Sequence, residues 1–522
     1  MTSRSELQST FKMHGYTLKP DAARYLSDQL SDVDAQQRMT WLTRLLANVQ
    51  NQSLDSAVVD TNHMRRAIQE CSQQENDAEE AFEVINVFSA TEYEWAPDRK
   101  KLVPRNVLGL PKPSLFAKSD SKTNLFKNRY SIVLQRTERH EVFGPAAASD
   151  RNEDNTKFKL RRVEELLGSA GHIDQVIVFG LLSQMQAGKF HLEDPTGSIE
   201  LDLSSAAFHN GLFTENCVIL VEGRYASRIL YASAIGHPPV EKATNSRTYF
   251  GSMNVFGGNL KQSAKSSVKM QHLELENSNA VMVFVTEVFL DKIEVLTKLR
   301  RMFEGFSSIL PVCFVFSGNF CSTPHGVQQY KMLKDGFRNL ANLICEFPYL
   351  RDQCQFVFAP GAQDVPASDV LPRAPLCPSM VSVLNERVPN CHFVSNPCRL
   401  RYCSQEIIVF REDLTEKMCR NCVQMPSQHK DIPHHLCKSL CAQGHLTPLP
   451  LHVSPVYWDY DHCLRLYPLP DLVVLADSFE TFTQRQFDCT ITCTSSFSNN
   501  NYSFQVYFPA TKDVDNSRIQ DE

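Results

Sequence analysis

The residues whose types and spacing could do chemistry fall just past two apolar runs. Glu287 follows AVMVFVT, and Gly318-Asn319 follows PVCFVFS, with the amphipathic stretch KIEVLTKLRRMFEGF between them. Val- and Phe-rich runs around such a stretch read as a β-α-β unit whose strands are buried on both faces. Ligands bind in the crevice past the carboxyl ends of such strands. Carboxylates, histidines and amides gathered there would hold two divalent ions about 3.5–4 Å apart and hydrolyse a phosphate ester. A working centre of that kind reads Asp-x-His, Gly-Asp, Gly-Asn-His-Asp/Glu, a lone His, then Gly-His-x-His. This chain offers Glu287-Val288-Phe289, Gly318-Asn319, Gly361-Ala362-Gln363-Asp364, SNPCRL around Asn396, and Gly444-His445-Leu446-Thr447. His392, the histidine nearest the fourth position, falls within the preceding strand. The remaining ligands Glu287, Asp364 and His445 would leave two ions under-coordinated, and the neutral amide of Asn319 stands where a bridging carboxylate would let two cations sit close. Glu287, Asn319, Asp364 and His445 are therefore expected to mark a vestigial pocket with no catalytic residue and no cofactor. An active metal-dependent phosphoesterase or nuclease, its substrate guided by a neighbouring barrel, is the alternative.

A second candidate is Cys419-x-x-Cys422 followed by Cys437-x-x-x-Cys441, with His434 and His435 between the pairs. The spacing satisfies a structural zinc site. Against it, Cys419 and Cys441 read as apolar neighbours on helix-like stretches of a packed domain, so the metal-free reading is preferred. His462 and Cys463 are a third pair. On a strand they would point to opposite faces, giving a core cysteine beside a surface histidine rather than a dyad.

The elements that position these residues fall into a multidomain α+β chain of 522 residues, long enough for about three domains. Residues 1–75 read as a helical docking module, with Leu26 and Leu30 on one helix begun at Pro20-Asp21. Leu42, Leu45, Leu46 and Val49 mark a second helix, and Met64, Ala67, Ile68 and Cys71 a third capped by Asp60 or Thr61. An acidic break, Gln73–Glu80, and a proline-spaced stretch with a polar run at Ser149–Lys157 make 76–165 a linker with one ordered piece near RYSIVLQRTERHEVF. The basic run DRKKLVPR reads as a solvated loop rather than an import signal. Residues 166–245 carry five strands with a short helix, SSAAFHNGLF, between the third and fourth, the order of an OB-fold barrel. Its candidates for single-strand binding, Phe190 and His191, have little basic charge nearby. Residues 246–279 connect to an α/β sandwich over 280–522; their Gly-rich TYFGSMNVFGGN lacks the spacing of a dinucleotide loop.

A net charge of −6 argues against a chain devoted to duplex DNA. No apolar run approaches the ~20 residues of a membrane span, and the opening MTSRSELQSTFKMHG has no signal-peptide core. The 17 cysteines, an odd number in a chain without a secretion signal, are expected to be reduced core thiols of an intracellular protein.

Several strings occur in one order: GKFHLEDPTGSIELDLS, GLFTENCVILVEG, NVFGG, VFSGNF, FREDL, KMCRNC and GHLTPLP. In these the chain resembles the B-subunits of eukaryotic replicative DNA polymerases over nearly its whole length. The resemblance implies an OB-fold followed by an inactivated calcineurin-like phosphoesterase domain, and a helical N-terminal module similar to the lid of AAA+ proteins. It implies a non-catalytic scaffold subunit in the nucleus. Its partners would be the zinc-binding C-terminal region of the catalytic subunit, small histone-fold subunits of the same complex, and the replicative helicase through GINS, with weak or indirect DNA contact.

Overall fold

The computed structural model describes residues 4–13, 15–30, 42, 45–46, 49, 58–68, 81–105, 111–144, 158–169, 171–251, 253–260, 262–323, 327–366, 368–426 and 431–520. The break Gln73–Glu80, Cys71 and the polar run Ser149–Lys157 lie outside the described residues. Two compact units form, Met1–Glu83 and Val84–Glu522.

In the first unit, α1 (Arg4–Met13) and α2 (Pro20–Gln29) accompany a short parallel pair, β1 (Thr17–Leu18) with β2 (Val58–Val59). Proline suits the start of α2 because its missing N–H would be unpaired there anyway. Residues 61–68 are helical. Asp60 caps them, its Oδ1 accepting from the backbone N–H groups of Asn62 and His63 at 2.9 and 3.0 Å. The expected apolar positions Leu26, Leu30, Leu42, Leu45, Leu46, Val49, Met64, Ala67 and Ile68 share one core. The sequence reading missed α1. Its apolar face is little more than Leu7 and Phe11, four residues apart.

The strand β3 (Phe82–Asn86) runs across the boundary into the second unit, which continues with a hairpin of β4 (Tyr93–Ala96) and β5 (Lys101–Pro104). The expected linker then gives way to α3 (Ser119–Glu138), a helix of 20 residues. The ordered piece expected near RYSIVLQRTERHEVF covers its second half. The helix and its start were not expected because it buries Arg129, Gln135, Arg136 and Thr137 as well as Leu125, Ile132 and Val133, so no clean apolar stripe exists to be seen.

β6 (Leu160–Arg161), β7 (Ile173–Gln186), β8 (Lys189–Asp194), β9 (Gly197–Asp202), β10 (Ala207–Phe208), β11 (Val218–Ala226) and β12 (Ile229–Gly236) build the barrel. The strands run β12-β11-β7-β8-β9, and β9 closes on β12 in parallel, with Glu200 opposite Ile229. The DPTG turn is held by Asp194 Oδ1, which accepts from Thr196 N and Gly197 N at 2.8 and 3.0 Å. The helix expected in SSAAFHNGLF is absent. Instead β10 pairs with β12, and Phe208 packs edge-on against Phe213.

The sandwich has two six-stranded sheets. In the first, β16 (Cys391–Phe393), β15 (Gln355–Ala359), β14 (Cys313–Ser317) and β13 (Met282–Thr286) run parallel. β22 (Ser503–Phe508) and β23 (Asp513–Arg518) complete it antiparallel. The helices α4 (Ile293–Phe306) and α5 (Val327–Cys345) share its outer core. The second sheet runs β20 (Phe482–Gln486), β21 (Cys489–Thr494), β19 (Leu472–Ala476), β18 (Gln405–Arg411), β17 (Cys398–Tyr402), β3. It packs its outer face on α6 (Ile432–Gln443). Side-chain hydrogen bonds tie the sheets together: Gln505 on β22 accepts from Thr492 on β21 at 2.6 Å, and Tyr507 donates to Gln405 on β18. The stretch expected to be strand around His462 is a 3-10 turn, Trp458–Leu464.

Candidate functional site

β13, β14 and β15 end in one crevice, and there the structure brings Glu287, Asn319 and Asp364 together. The approach is close. A Cβ on Gly318 would lie 1.9 Å from Asp364 Oδ2, and one on Gly361 would lie 2.1 Å from Asn319 Oδ1. Only glycine fits at either point. Asp364 turns its oxygens inward: Oδ1 accepts from Phe320 N and Oδ2 from Gly361 N, both at 2.8 Å. Burial raises its pKa against the pull of those bonds and of Arg411 and Arg373. Asn319 Oδ1 accepts from Gln363 N at 3.1 Å, while its Nδ2 faces Glu287 Oε1 at 3.5 Å. Phe289, where the sequence pattern calls for a histidine, is buried, and its N–H donates to Ser498 Oγ at 3.1 Å.

The sequence reading missed the residue at the centre. Arg411 ends β18 and is 3% exposed. Its Nη2 donates to Glu287 Oε1 at 2.7 Å, and its Nη1 to Asp413 Oδ1 at 2.9 Å and the Ala476 carbonyl at 3.1 Å. Its Nε donates to the Gly318 carbonyl. The Asn396 side chain accepts from the Arg411 N–H at 2.9 Å and donates to its carbonyl at 2.7 Å. Burial opposes the charge on Arg411, but Asp413 and Glu287 outweigh it and raise the pKa. One guanidinium thus joins the ends of strands from both sheets. Beside it, Glu412 accepts from Arg373 and Lys417. Burial works against the Glu412 charge, yet those two cations hold its carboxyl below the usual range. Asp477, past the end of β19, accepts from Thr415 N and Oγ1 at 2.8 and 2.7 Å. The charged residues just past the apolar runs EIIVF and LVVLA, Arg411-Glu412-Asp413 and Asp477, were the available signal, since strand ends are where parallel sheets place ligands.

This donor set does not fit two divalent ions. A guanidinium already takes the charge of Glu287, and Asp364 is turned to backbone. Among the described residues, no group of three or more His, Cys, Asp or Glu side chains is placed to hold a metal.

His445 belongs elsewhere. Its Nε2 lies 3.2 Å from Asp461 Oδ1, and its Nδ1 accepts from Thr447 N at 3.1 Å. None of these partners touches the strand-end cluster. The Gly-His string thus matches the motif only locally, and its histidine lies apart from Glu287, Asn319 and Asp364. The cysteine pairs also part. Cys437 and Cys441 are fully buried in the core between α6 and the second sheet, while Cys419 and Cys422 are half-buried at its margin. Burial pushes the Cys441 thiol up to about 12 and raises those of Cys419, Cys422 and Cys437. The intervening histidines are engaged: His435 Nδ1 accepts from Gly211 N at 2.9 Å, and His434 faces Gln486. His462 is buried, not on the surface, and burial with Arg465 and Arg399 pushes it down to about 3. Cys463, pushed up to about 12 by burial, donates its S–H to the Val87 carbonyl. Cys463 Sγ also lies 3.7 Å from His462 Nε2, so the two do not point to opposite faces, but burial keeps the thiol protonated and the imidazole neutral and leaves no activated nucleophile.

A second polar cluster joins the barrel to the sandwich. Gln443 of α6 pairs with Val218 of β11 through both backbone groups, at 2.8 Å each. Leu212 N donates to Ser439 Oγ at 2.7 Å. From α3, Arg129 Nη2 and Nε reach Asp461 at 2.6 and 3.1 Å, and Arg136 donates to the carbonyls of Cys441 and Ala442. The other face of α3 packs Tyr130 against Phe179 of the barrel. Phe190 packs against the barrel core, and Lys189 beside it pairs with Glu200 at 3.3 Å.

Three family models match the chain: DNA polymerases epsilon N terminal over residues 2–71, DNA polymerase epsilon subunit 2-like OB-fold domain over 119–239, and the DNA polymerase alpha/epsilon B-subunit over 282–484. The DNA polymerase epsilon subunit 2 of Bos taurus and that of Homo sapiens are each 43% identical over 519 residues, covering 99% of this chain and 98% of theirs. The chain belongs to the DNA polymerase epsilon subunit 2 family. The subunit 2 of Drosophila melanogaster is 36% identical over 527 residues, covering 99% of this chain and 98% of its own. The epsilon OB-fold model begins at the first residue of α3, so that helix travels with the barrel. A solved archaeal phosphodiesterase overlays 46% of this chain and 99% of its own at 9% identity and a TM-score of 0.26, too loosely to carry an argument.

Proposed function

We propose that this chain is a non-catalytic scaffold of the DNA polymerase epsilon complex, working in the nucleus and holding the zinc-binding C-terminal region of the catalytic subunit. The observation that carries the reading is the polar joint between α3, α6 and the barrel. It fixes two domains as one body and so supports a single composite surface for a large partner. The family supplies the partner. The sandwich is read as a calcineurin-like phosphoesterase fold that has lost its centre, with Glu287, Asn319 and Asp364 as remnants. The ligand losses support this: Phe289 and Asn319 replace the histidine and carboxylate that two-metal hydrolysis needs. The small histone-fold subunits share the complex. Residues 1–75, read as a module like the AAA+ lid, dock on the replicative helicase through GINS, and DNA contact is weak or indirect.

Native mass spectrometry of the chain purified from nuclear extract tests the scaffold reading. A complex with one very large polymerase subunit supports it; a lone chain carrying two divalent ions overturns it. Deleting residues 1–75 is expected to spare polymerase assembly and impair origin activation. Loss of assembly contradicts that division of labour.

A further inference from the structure

We infer that Arg411 is the resident cation of the strand-end crevice, its guanidinium doing the charge-balancing work that metal ions do in a hydrolytic centre of this layout. The inference rests on the reading of the crevice as a lost phosphoester centre.

A crevice of carboxylates at the ends of parallel strands needs positive charge, because an isolated buried carboxylate is far more costly than a paired one. Here Glu287, Asp364, Glu412, Asp413 and Asp477 converge, and all but Asp413 are buried. Lys417 and Arg373 serve Glu412. Asp364 and Asp477 are satisfied by backbone and hydroxyl donors, and burial raises both their pKa values. Glu287, buried, therefore depends on Arg411 at 2.7 Å, while Asp413, half-buried and also held by Ser478 N and Oγ at 3.1 and 2.8 Å, shares the same guanidinium at 2.9 Å.

The geometry is that of a coordinating ion rather than a simple pair. Three nitrogens of one planar fork reach the side chain after β13, the carbonyl after β14, the side chain after β18 and the carbonyl ending β19. Arginine suits this role because its donors are fixed in direction and its charge is permanent. Asn396 grips the arginine's own backbone from both sides, which aims the side chain into the crevice. The fixed charge makes the crevice independent of metal supply and repels a divalent ion from Glu287.

The test uses the full-length chain with Arg411→Ala. The variant is expected to melt roughly 5–10 °C lower than the parent, as for a buried ion pair stripped of one partner. Millimolar methylguanidinium chloride restores several degrees, and neutral N-methylurea, of the same shape, restores none. Equal effects of the two compounds, no rescue by either, or an unchanged melting point overturns the inference. If Arg411→Ala does not fold, the triple variant Arg411→Met, Glu287→Gln, Asp413→Asn decides. Its anions are gone, so it is expected to fold, and an insoluble triple variant overturns the charge-balance argument. Hydrolysis of bis-p-nitrophenyl phosphate by the parent with Mn²⁺ would instead sink the reading beneath it, whatever the rescue shows.

Discussion

The strand-end crevice and the barrel joint are both buried, polar and centred on arginine, yet they do opposite things. In the crevice, Arg411 bonds to groups of its own domain and closes a site on itself. In the joint, Arg129 and Arg136 leave a helix that packs on the barrel and bond to the sandwich. The difference teaches what a buried arginine can do: the first cluster closes a crevice within one domain, and the second welds two domains into one body. Buried charges of either kind are costly to leave half-paired, which makes both testable by removing one partner.

The largest effect is expected at Asp461. Asp461→Ala strands Arg129 and is expected to cost about 3–5 kcal/mol in urea unfolding. A loss under ~1 kcal/mol would mean the joint is decorative. Gln443→Leu comes next, leaving both backbone groups of Val218 unpaired at a cost of about 1–3 kcal/mol. Hydrogen exchange should quicken at Val218 and stay unchanged at Phe320 and Gly361 in the crevice. If all three quicken, the two clusters are one cooperative unit.

Acid sharpens the contrast further. His462 beside the joint is neutral and pushed down to about 3. A depressed histidine contributes stability above its unfolded value near 6.5, and this drains as pH falls toward the folded one, by up to ~1.4 kcal/mol per pH unit. His462→Asn should lessen the slope of urea stability between pH 6.5 and 5, with His237, also pushed down to about 3 by burial, carrying part of the remainder. The carboxyls of Asp461, Glu412 and Asp413, held low against burial by their cations, act later. Their contribution is present above an unfolded value near 4 and is lost as pH falls below it. A variant as pH-sensitive as the parent over pH 6.5–5 would remove His462 from this account. The smallest effect belongs to an exposed pair on the barrel. Lys189→Ala, which breaks the contact with Glu200, should cost under ~1 kcal/mol and serves as the control for the buried arginines.

Much of this architecture was legible in the chain. The strands Met282–Thr286 and Cys313–Ser317 announce themselves as apolar runs, and the barrel strands by alternation and tight turns. Glu287 could be placed because it follows such a run directly, and Asn319 and Asp364 because each lies a few residues past one. Arg411 also follows an apolar run, EIIVF, but an arginine matches no metal-ligand type and so drew no attention. Its importance depends on β18 lying parallel to β19 with its end facing the other sheet, which no local pattern records. His445 shows the converse error, where a Gly-His string was read without the topology that decides its place. Only the second half of α3 was expected to be ordered, and not as a helix, because a helix buried through arginine and glutamine, between two domains, has no clean amphipathic signature.

The joint also has a history in time. Arg129 and Asp461 are 332 residues apart in sequence, and a ribosome adding about 5–20 residues per second needs roughly 15–70 s to make the second after the first. For that interval the barrel and its helix stand complete without their dock. The face that waits is mixed: Arg129 and Arg136 stand on the same helix as Ile132, which is later buried with Tyr467, and Leu212 of the barrel is later buried with Leu436 and Leu440. The long sequence separation makes closure of this seam a late step in folding.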